Sequence, residues 1–442
     1  MNKHRWKARD IAQRLVIEGE LILESPCRLT GGEANEVSDG PLLRDDDGVA
    51  FISGTTLAGL VRHYLTPRVN PEELKELLGP ARQAEGNQSR LLFSEARCTA
   101  EAGVELRDGV AICPKSGIAL DGKKYDLELL AVGSKFRIVL ELLMPSGPSR
   151  LKSLLGIALH AFERGEIAVG GRSRRGYGQC RVQSWTVTDY PVATLDGLMS
   201  WLSRSGKSRP LNSGAEWMDG PWNTLSDDFS IIMNLRLPGS LLIASNGYGP
   251  DQPDRTHLTR KNGKALIEPV LSGTSLAGIL RHQCLKIANT LGLPGDFVRK
   301  LFGDSGHASK VRVRESNLEG GSTLRHTRVR INPWTGGAAD SLLFDQDCQF
   351  GGSVRVEVSA RALCDAEKAL LLLACRDLAL GHLPVGGQGG VGRGRLEPSQ
   401  PEFAQVTGPD CTFRFESGKV RIAPAGALDQ LYQSLEEAIH VG

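Results

Sequence analysis

The sequence predicts a duplicated α+β domain with an antiparallel sheet in each half, and three observations carry that reading. A run of eleven residues recurs late in the chain, two further motifs recur in the same order, and each half mixes strand-like runs with two helical ones. Ser53-Gly54-Thr55-Thr56-Leu57-Ala58-Gly59-Leu60-Val61-Arg62-His63 returns 219 residues later as Ser272 to His282, with eight positions identical and three conservative. The same offset pairs Val110, Ile112, Pro114, Gly117 and Ala119 with Val329, Ile331, Pro333, Gly336 and Ala338. Val169 to Gly178 is answered by Val385 to Gly394 at an offset of 216. Three matches in one order at nearly constant spacing describe a repeated domain.

Each element has its own signal. Residues 14–30 and 229–243 alternate as strands do, and a polar loop follows each. Ser53 and Ser272 then stand where a helix N-cap belongs, and Leu57, Leu60, Val61 and Leu65 recur at helical spacing. Lys135–Leu143 and Ser353–Val358 are strand-like, whereas Leu151–Arg164 and Asp365–Leu380 are helical. Strands interleaved with two helices per half fit an antiparallel α+β sheet. Pro191, Pro210, Pro221, Trp201, Trp217 and Trp222 mark a linker that packs on something. The expected organisation is a first domain over 1–185, a linker over 186–228, a second domain over 229–400 and a C-terminal extension over 401–442.

Composition removes several function classes. At 442 residues the chain exceeds one ordinary core. Its apolar runs are short, far from the roughly 18 residues a membrane helix needs. The basic start, Met1 to Lys7, leads into no apolar signal core, so the expectation is a soluble, cytoplasmic protein. Nine cysteines form no CxxC pair and no zinc spacing, which suits buried thiols in a reducing compartment. Net charge is only +2, so the placement of charge matters more than its sum. Arg172, Arg174, Arg175 and Arg181 form one basic run, and Arg312, Arg314, Arg325, Arg328 and Arg330 form another. One such run is usually a solvated face. Two in matching places point to an anionic ligand.

The glycine-rich loops invite a dinucleotide reading, but that fingerprint needs a strand before it and a helix after it. Here the order is reversed. Glycines still let backbone amides approach a phosphate closely, and Arg172, Arg174, Arg175, Arg393 and Arg395 lie beside them. A sugar-phosphate backbone is the natural ligand for Gly170, Gly171, Gly386 and Gly387, although an isolated loop of this kind could be a tight packing turn. The helix starts at Gly54, Thr55 and Thr56, and at Gly273, Thr274 and Ser275, could hold an anion through amides and the helix dipole. Capping alone explains the hydroxyl residues. It does not explain Gly59 and Gly278, each of which costs a helix about 1 kcal/mol against Ala. Close approach of another backbone, protein or RNA, explains both, with Arg62 and Arg281 one helical step further on. Aromatic residues are only 5%, and no base-stacking strand motif appears, so recognition by backbone and shape is expected.

The ordered motifs resemble the RAMP superfamily. The first half matches through Gly31-Gly32, Asp39-Gly40-Pro41-Leu42-Leu43-Arg44-Asp45, Gly48, Ile52 to Arg62, Gly79 and Leu91-Leu92-Phe93-Ser94-Glu95-Ala96. The second half keeps the helix and glycine-loop motifs. Its loop Asp254 to Arg260 lacks the proline and is longer before Gly273. The resemblance spans most of both halves, apart from the linker and roughly the last forty residues.

That resemblance implies two fused ferredoxin-like (RRM-like) domains, each with a thumb-type hairpin, here at residues 107–126 and 325–345. It implies a double backbone subunit of a type III CRISPR effector complex, acting in antiviral defence. The implied partners are guide RNA, complementary target RNA, further RAMP proteins and a large signature subunit, with no membrane. Asp39 is the implied catalytic residue, with Asp254 its nearest counterpart in the second half. Asp39 would hold Mg²⁺ or Mn²⁺ for target RNA cleavage. Two alternatives stay open: a scaffold that binds RNA without cutting it, and a metal-independent guide-processing endoribonuclease using His63, His160, His257 or His326 as base.

Overall fold

The computed structural model describes residues 10–31, 39–80, 87–113, 115–219, 229–245, 253–261, 267–294, 296–304 and 306–441. The chain forms two compact units, described separately below. Unit 1 comprises residues 1–105, 128–171 and 178–225, and unit 2 comprises 106–127, 172–177 and 226–442. The second unit thus contains two pieces of the first half of the chain.

Unit 1 is built on the long strand Gln13–Leu23, whose alternating side chains place Leu15, Ile17, Leu21 and Leu23 in the core. It pairs antiparallel with Lys135–Met144 on one side and Cys180–Tyr190 on the other. Leu91–Phe93 and Ala96–Ala100 then pair with the outer edge of Lys135–Met144. Helix α1 (Gly54–Leu65) starts at Ser53, whose hydroxyl accepts from the Thr56 amide, and it buries Leu57, Val61, Tyr64 and Leu65. Helix α2 (Pro71–Leu78) begins with the Asn70 cap and Pro71, the residues that favour a helix start. Helix α3 (Leu151–Glu163) is buried along most of its length against the sheet. Strand, helix, strand, strand, helix, strand, with the first and third central, is the ferredoxin-like order.

The stretch expected as a linker carries structure of its own. The strand Cys180–Tyr190 runs on past residue 185, and Ser208–Leu211 pairs with it at the sheet edge. Helix α4 (Leu195–Leu202) lies between these two strands, and Trp217 is buried against the unit 1 core.

Unit 2 repeats the plan. Phe229–Arg236 is central, flanked by Ser353–Ala360 and Glu402–Thr407. Val311–Val313 and Ser316–Glu319 pair with Ser353–Ala360. Helices α5 (Gly273–Leu291), α6 (Phe297–Phe302) and α7 (Asp365–Ala379) cover the sheet. Residues beyond 400 extend the sheet through Cys411–Glu416 and Lys419–Ala423, and α8 (Asp429–Val441) packs on α7 through Leu431 and Leu435. A long hairpin, Ser322–Ile331 with Ala338–Phe350, projects from this unit. Its counterpart from the first half, Val104–Ile112 with Ala119–Leu130, forms a separate two-stranded sheet, and residues 106–127 of it belong to unit 2. Among the described residues, no helix is long and apolar enough to cross a membrane.

Candidate nucleic-acid interface

A cluster of positive charge in unit 2 forms where residues 172–177 meet the start of α5. Ser173–Arg175 makes one 3₁₀ turn, entered through Arg172 and left through Gly176, both with left-handed backbones (φ 59° and 92°). Arg172 lies over the Tyr125 ring at 4.4 Å and donates to its hydroxyl at 2.6 Å, combining cation–π and hydrogen-bond contacts. Arg175 is held below the usual guanidinium range by desolvation first, then by the charges of Arg172 and Arg281. Among the described residues, none of Arg172, Arg175 and Arg281 has a carboxylate partner. Three like charges left together without a counter-ion form a site that favours an anion. Arg174, on the same turn, has a partner of its own.

The helix start beside this cluster is fully specified. The Ser272 hydroxyl accepts from the Ser275 amide at 3.4 Å and shares a 2.6 Å hydrogen bond with Thr274. Gly273 is required by the chain itself, because a Cβ there would stand 2.4 Å from the Arg175 carbonyl oxygen and 2.9 Å from that of Val313. Gly54 is the same case in unit 1, with the Phe93 carbonyl at 2.6 Å. Thr55 is exposed and Thr56 half-buried at the start of α1. Gly59 and Gly278 differ from both. They are exposed, and a Cβ on either would meet nothing within 4 Å. Among the described residues, no backbone outside the helix comes within 4 Å of that position.

The glycine loops use their freedom internally. Gly170 (φ 78°) and Gly386 (φ 76°) hold backbones that a Cβ would drive into the carbonyls of Arg28 and Leu242, at 2.3 and 2.5 Å. The next residues, Gly171 and Gly387, donate their amides to those same carbonyls at 2.8 Å each. These close approaches are therefore made by each unit's own chain. Arg62 is spent in unit 1, where it donates to the Leu78 and Gly79 carbonyls at the end of α2. Arg393 is interior, 2% exposed, with its guanidinium bonded to Gln346, Cys348 and His326. It does not lie on the surface where a phosphate would contact it. In the second basic run, Arg325 pairs with Asp347 and Arg314 with Glu357.

Asp39 is exposed in unit 1, in a loop whose path is held by Glu128. The Glu128 amide donates to the Gly40 carbonyl at 3.3 Å, and the Glu128 carboxylate accepts from the Leu42 amide at 3.1 Å. Asp254 in unit 2 accepts from the Asp345 amide at 2.9 Å, a contact that pins its loop to the projecting hairpin. Among the described residues, no group of three His, Cys, Asp or Glu side chains could hold a metal ion.

The histidines have separate surroundings. His257 is buried, accepts from the Ile243 amide, and is pushed down to about 4 by burial, which keeps it neutral. His160 pairs with Glu163 at 2.9 Å on α3. His326 faces Arg393 at 2.9 Å, and because arginine can only donate, the imidazole accepts there. His63 is exposed on α1.

Sequence reasoning missed Tyr125 and the buried pair of Arg107 with Glu315. In unit 2 these two side chains meet at 2.9 Å, with 3% and 0% exposure. The constant offset of 219 pairs Glu95 with Arg314 and so hides the acid, but Glu315 and Glu95 each stand two residues after a short strand and one before the next.

Comparison with known proteins agrees with the duplicated plan. The RAMP superfamily profile matches residues 20–181 and again 215–397. No curated protein matches. Among solved structures, one similar chain comes from a cryo-EM structure of the type III-B Cmr-beta bound to cognate target RNA, at 13% identity and a TM-score of 0.33. The match covers 40% of this chain and 61% of that one. With the family profile covering most of both halves, and both units folded in the ferredoxin-like order, the chain belongs to the RAMP superfamily.

Proposed function

We propose that this chain is a double backbone subunit of a type III CRISPR ribonucleoprotein, binding guide RNA and its complementary target by their sugar-phosphate backbones. The observation that carries the reading is the cluster of Arg172, Arg175 and Arg281 beside the start of α5, three cations without a carboxylate partner among the described residues. A helix N-terminus and guanidinium groups without a carboxylate partner favour phosphate. The open glycines of α1 and α5 leave room for a backbone to lie against each helix. The scarcity of aromatic residues agrees with binding that tolerates many sequences. Further RAMP proteins and a large signature subunit complete the proposed complex.

Target cleavage is assigned to Asp39. Mg²⁺ is commonly held by one or two carboxylates together with substrate phosphates. An exposed carboxylate fits a metal shared with RNA. The bound ion would supply charge neutralisation at the scissile phosphate. The chain's own contribution is placement: Glu128 holds the backbone on both sides of Pro41, and with it the position of Asp39.

The test uses the assembled complex with a complementary target. Asp39→Ala removes one EDTA-sensitive cut and leaves guide and target binding intact. An unchanged cleavage ladder moves the chemistry elsewhere. Cutting that persists in EDTA assigns it to a metal-independent base. Cutting absent from the wild-type chain leaves the scaffold reading.

A further inference from the structure

Helix α4 in unit 1 presents its apolar stripe to solvent. Thr194 caps the helix, its hydroxyl accepting from the Gly197 amide at 3.1 Å. Gly197 is buried, and a Cβ there would fall 2.1 Å from the Pro191 carbonyl oxygen, so α4 sits hard against the turn before it. Trp201, one turn further along the same side, lies against the Arg14 guanidinium at 4.2 Å, and Arg14 stands opposite Tyr190 in the strand pairing. These contacts fix which side of α4 faces inward. The outward side carries Leu195, Leu198, Met199 and Leu202, between 38% and 74% exposed. Their spacing, i, i+3, i+4 and i+7, is the seam on which one helix seats another. A surface helix ordinarily buries such a stripe, and a contiguous exposed one marks an interaction site.

The chain that follows α4 supplies charge at the edge of this stripe. Arg204, Lys207 and Arg209 are exposed, and among the described residues none of the three has a carboxylate partner. Arg209 lies on Ser208–Leu211, the edge strand of the unit 1 sheet. Gly206 keeps the return close to that sheet, since a Cβ there would stand 2.5 Å from the Tyr190 ring. Asp196 is the acid between residues 195 and 211, and its place in the first turn of α4 suits the helix dipole. Helix α4 and Ser208–Leu211 both fall between the stretches 20–181 and 215–397 that match the family.

We propose that this face of unit 1 docks an acidic amphipathic helix of a partner protein, with its apolar seam on the α4 stripe and its carboxylates toward Arg204, Lys207 and Arg209. Charge complementarity selects that occupant. Two copies of this chain face to face would set three cations from each against one Asp196 from each, a like-charge juxtaposition. RNA offers phosphates to the cations and nothing to the leucine stripe. The Trp201 ring, on which a base could stack, already carries Arg14 at 4.2 Å and Arg204 at 5.5 Å. An acidic helix satisfies both halves of the patch at once. The site shares no residue with the arginine cluster of unit 2 or with Asp39, so it does not depend on RNA binding.

The test measures fluorescence anisotropy of two designed helical peptides on the full-length chain. Both carry the same leucine seam, flanked by glutamate in one and by lysine in the other. The acidic peptide should bind about tenfold more tightly, the worth of two or three exposed ion pairs. Leu195→Ser with Met199→Ser should lower its affinity at least tenfold. Lys207→Glu with Arg209→Glu should reverse the preference between the peptides. All four positions are exposed, so both variants should melt as the wild type does. Equal affinity of the wild type for the two peptides, or binding of neither, overturns the proposal, as does a preference that the charge reversal leaves unchanged. Three further results would overturn it by naming another occupant. Self-association in sedimentation velocity that the serine pair removes would make it a second copy. Flotation with phosphatidylserine vesicles that the serine pair removes would make it a membrane. Oligouridylate affinity that the charge reversal lowers as far as it lowers the acidic peptide's would make it RNA.

Discussion

Alanine at Gly278 should strengthen the fold and weaken RNA binding, two effects of opposite sign that a purely structural glycine cannot produce. Gly278 lies inside α5, is exposed, and has open space where a Cβ would go. Its φ is not in the left-handed region, so alanine adds no backbone strain. Replacing glycine in a helix interior then gains about 1 kcal/mol. For a unit of roughly 200 residues this raises Tm by about 2–4 °C. If a ligand backbone lies against the helix, the added methyl group holds it off, and a tenfold loss of affinity corresponds to about 1.4 kcal/mol. Gly59→Ala in α1 should behave alike. Gly273→Ala is the contrasting control, since its Cβ would strike the Arg175 carbonyl at 2.4 Å and must destabilise. Thermal melts with filter binding on guide RNA measure both quantities. A Gly278→Ala protein that melts higher and binds RNA unchanged would refute the ligand argument, and one that melts lower would refute the helix argument.

Arg175→Ala with Arg281→Ala should flatten the slope of log affinity against log salt by about 1.4, from roughly 0.7 per lost phosphate contact on a single strand. Because these groups repel one another, the pair should not lower Tm, and equal slopes would make them a solvated face. Arg107→Met should cost unit 2 about 3 kcal/mol by leaving the buried Glu315 carboxylate with Arg260 alone, and Arg107→Met with Glu315→Gln should recover over half of it in urea melts. A double variant no more stable than the single would show that charge is not the cause. His257 titrates near 4 in the folded unit against 6.5 unperturbed, so the unfolded chain binds more protons between those values. Stability is complete above pH 6.5 and falls by about 3 kcal/mol as pH drops to 4. His257→Gln, which keeps an acceptor for the Ile243 amide, should flatten that loss, and an unchanged pH profile would assign it to other groups.

The duplication was legible because its signals are local. Ser53 and Ser272 cap helices through contacts within one turn, and the alternation of Gln13–Leu23 reports a half-buried strand without knowledge of its neighbours. The ferredoxin-like order followed from the family resemblance. The stretch around Trp217 was harder to read, because its prolines and serines suggested a linker, while its role in unit 1 depends on a sheet edge and a core formed elsewhere in the chain. Arg393 shows the limit most clearly. By sequence it belongs with Arg172, Arg174 and Arg175, yet it occupies the interior place that Tyr177 holds in the first repeat, among Gln346, Cys348 and His326.

The sequence by itself determined the repeat, the helix starts and the clustering of arginine with glycine, because capping, periodicity and composition act over a few residues. Only the tertiary structure decided which of those arginines remain without a counter-ion, and which glycines face a carbonyl and which face open space. It also decided that residues 106–127 and 172–177 belong to unit 2, where Arg107 finds Glu315. The reason is physical: a charge is neutralised, and a Cβ excluded, by whatever lies within a few ångströms. At Glu315 the neutralising group is 208 residues away along the chain.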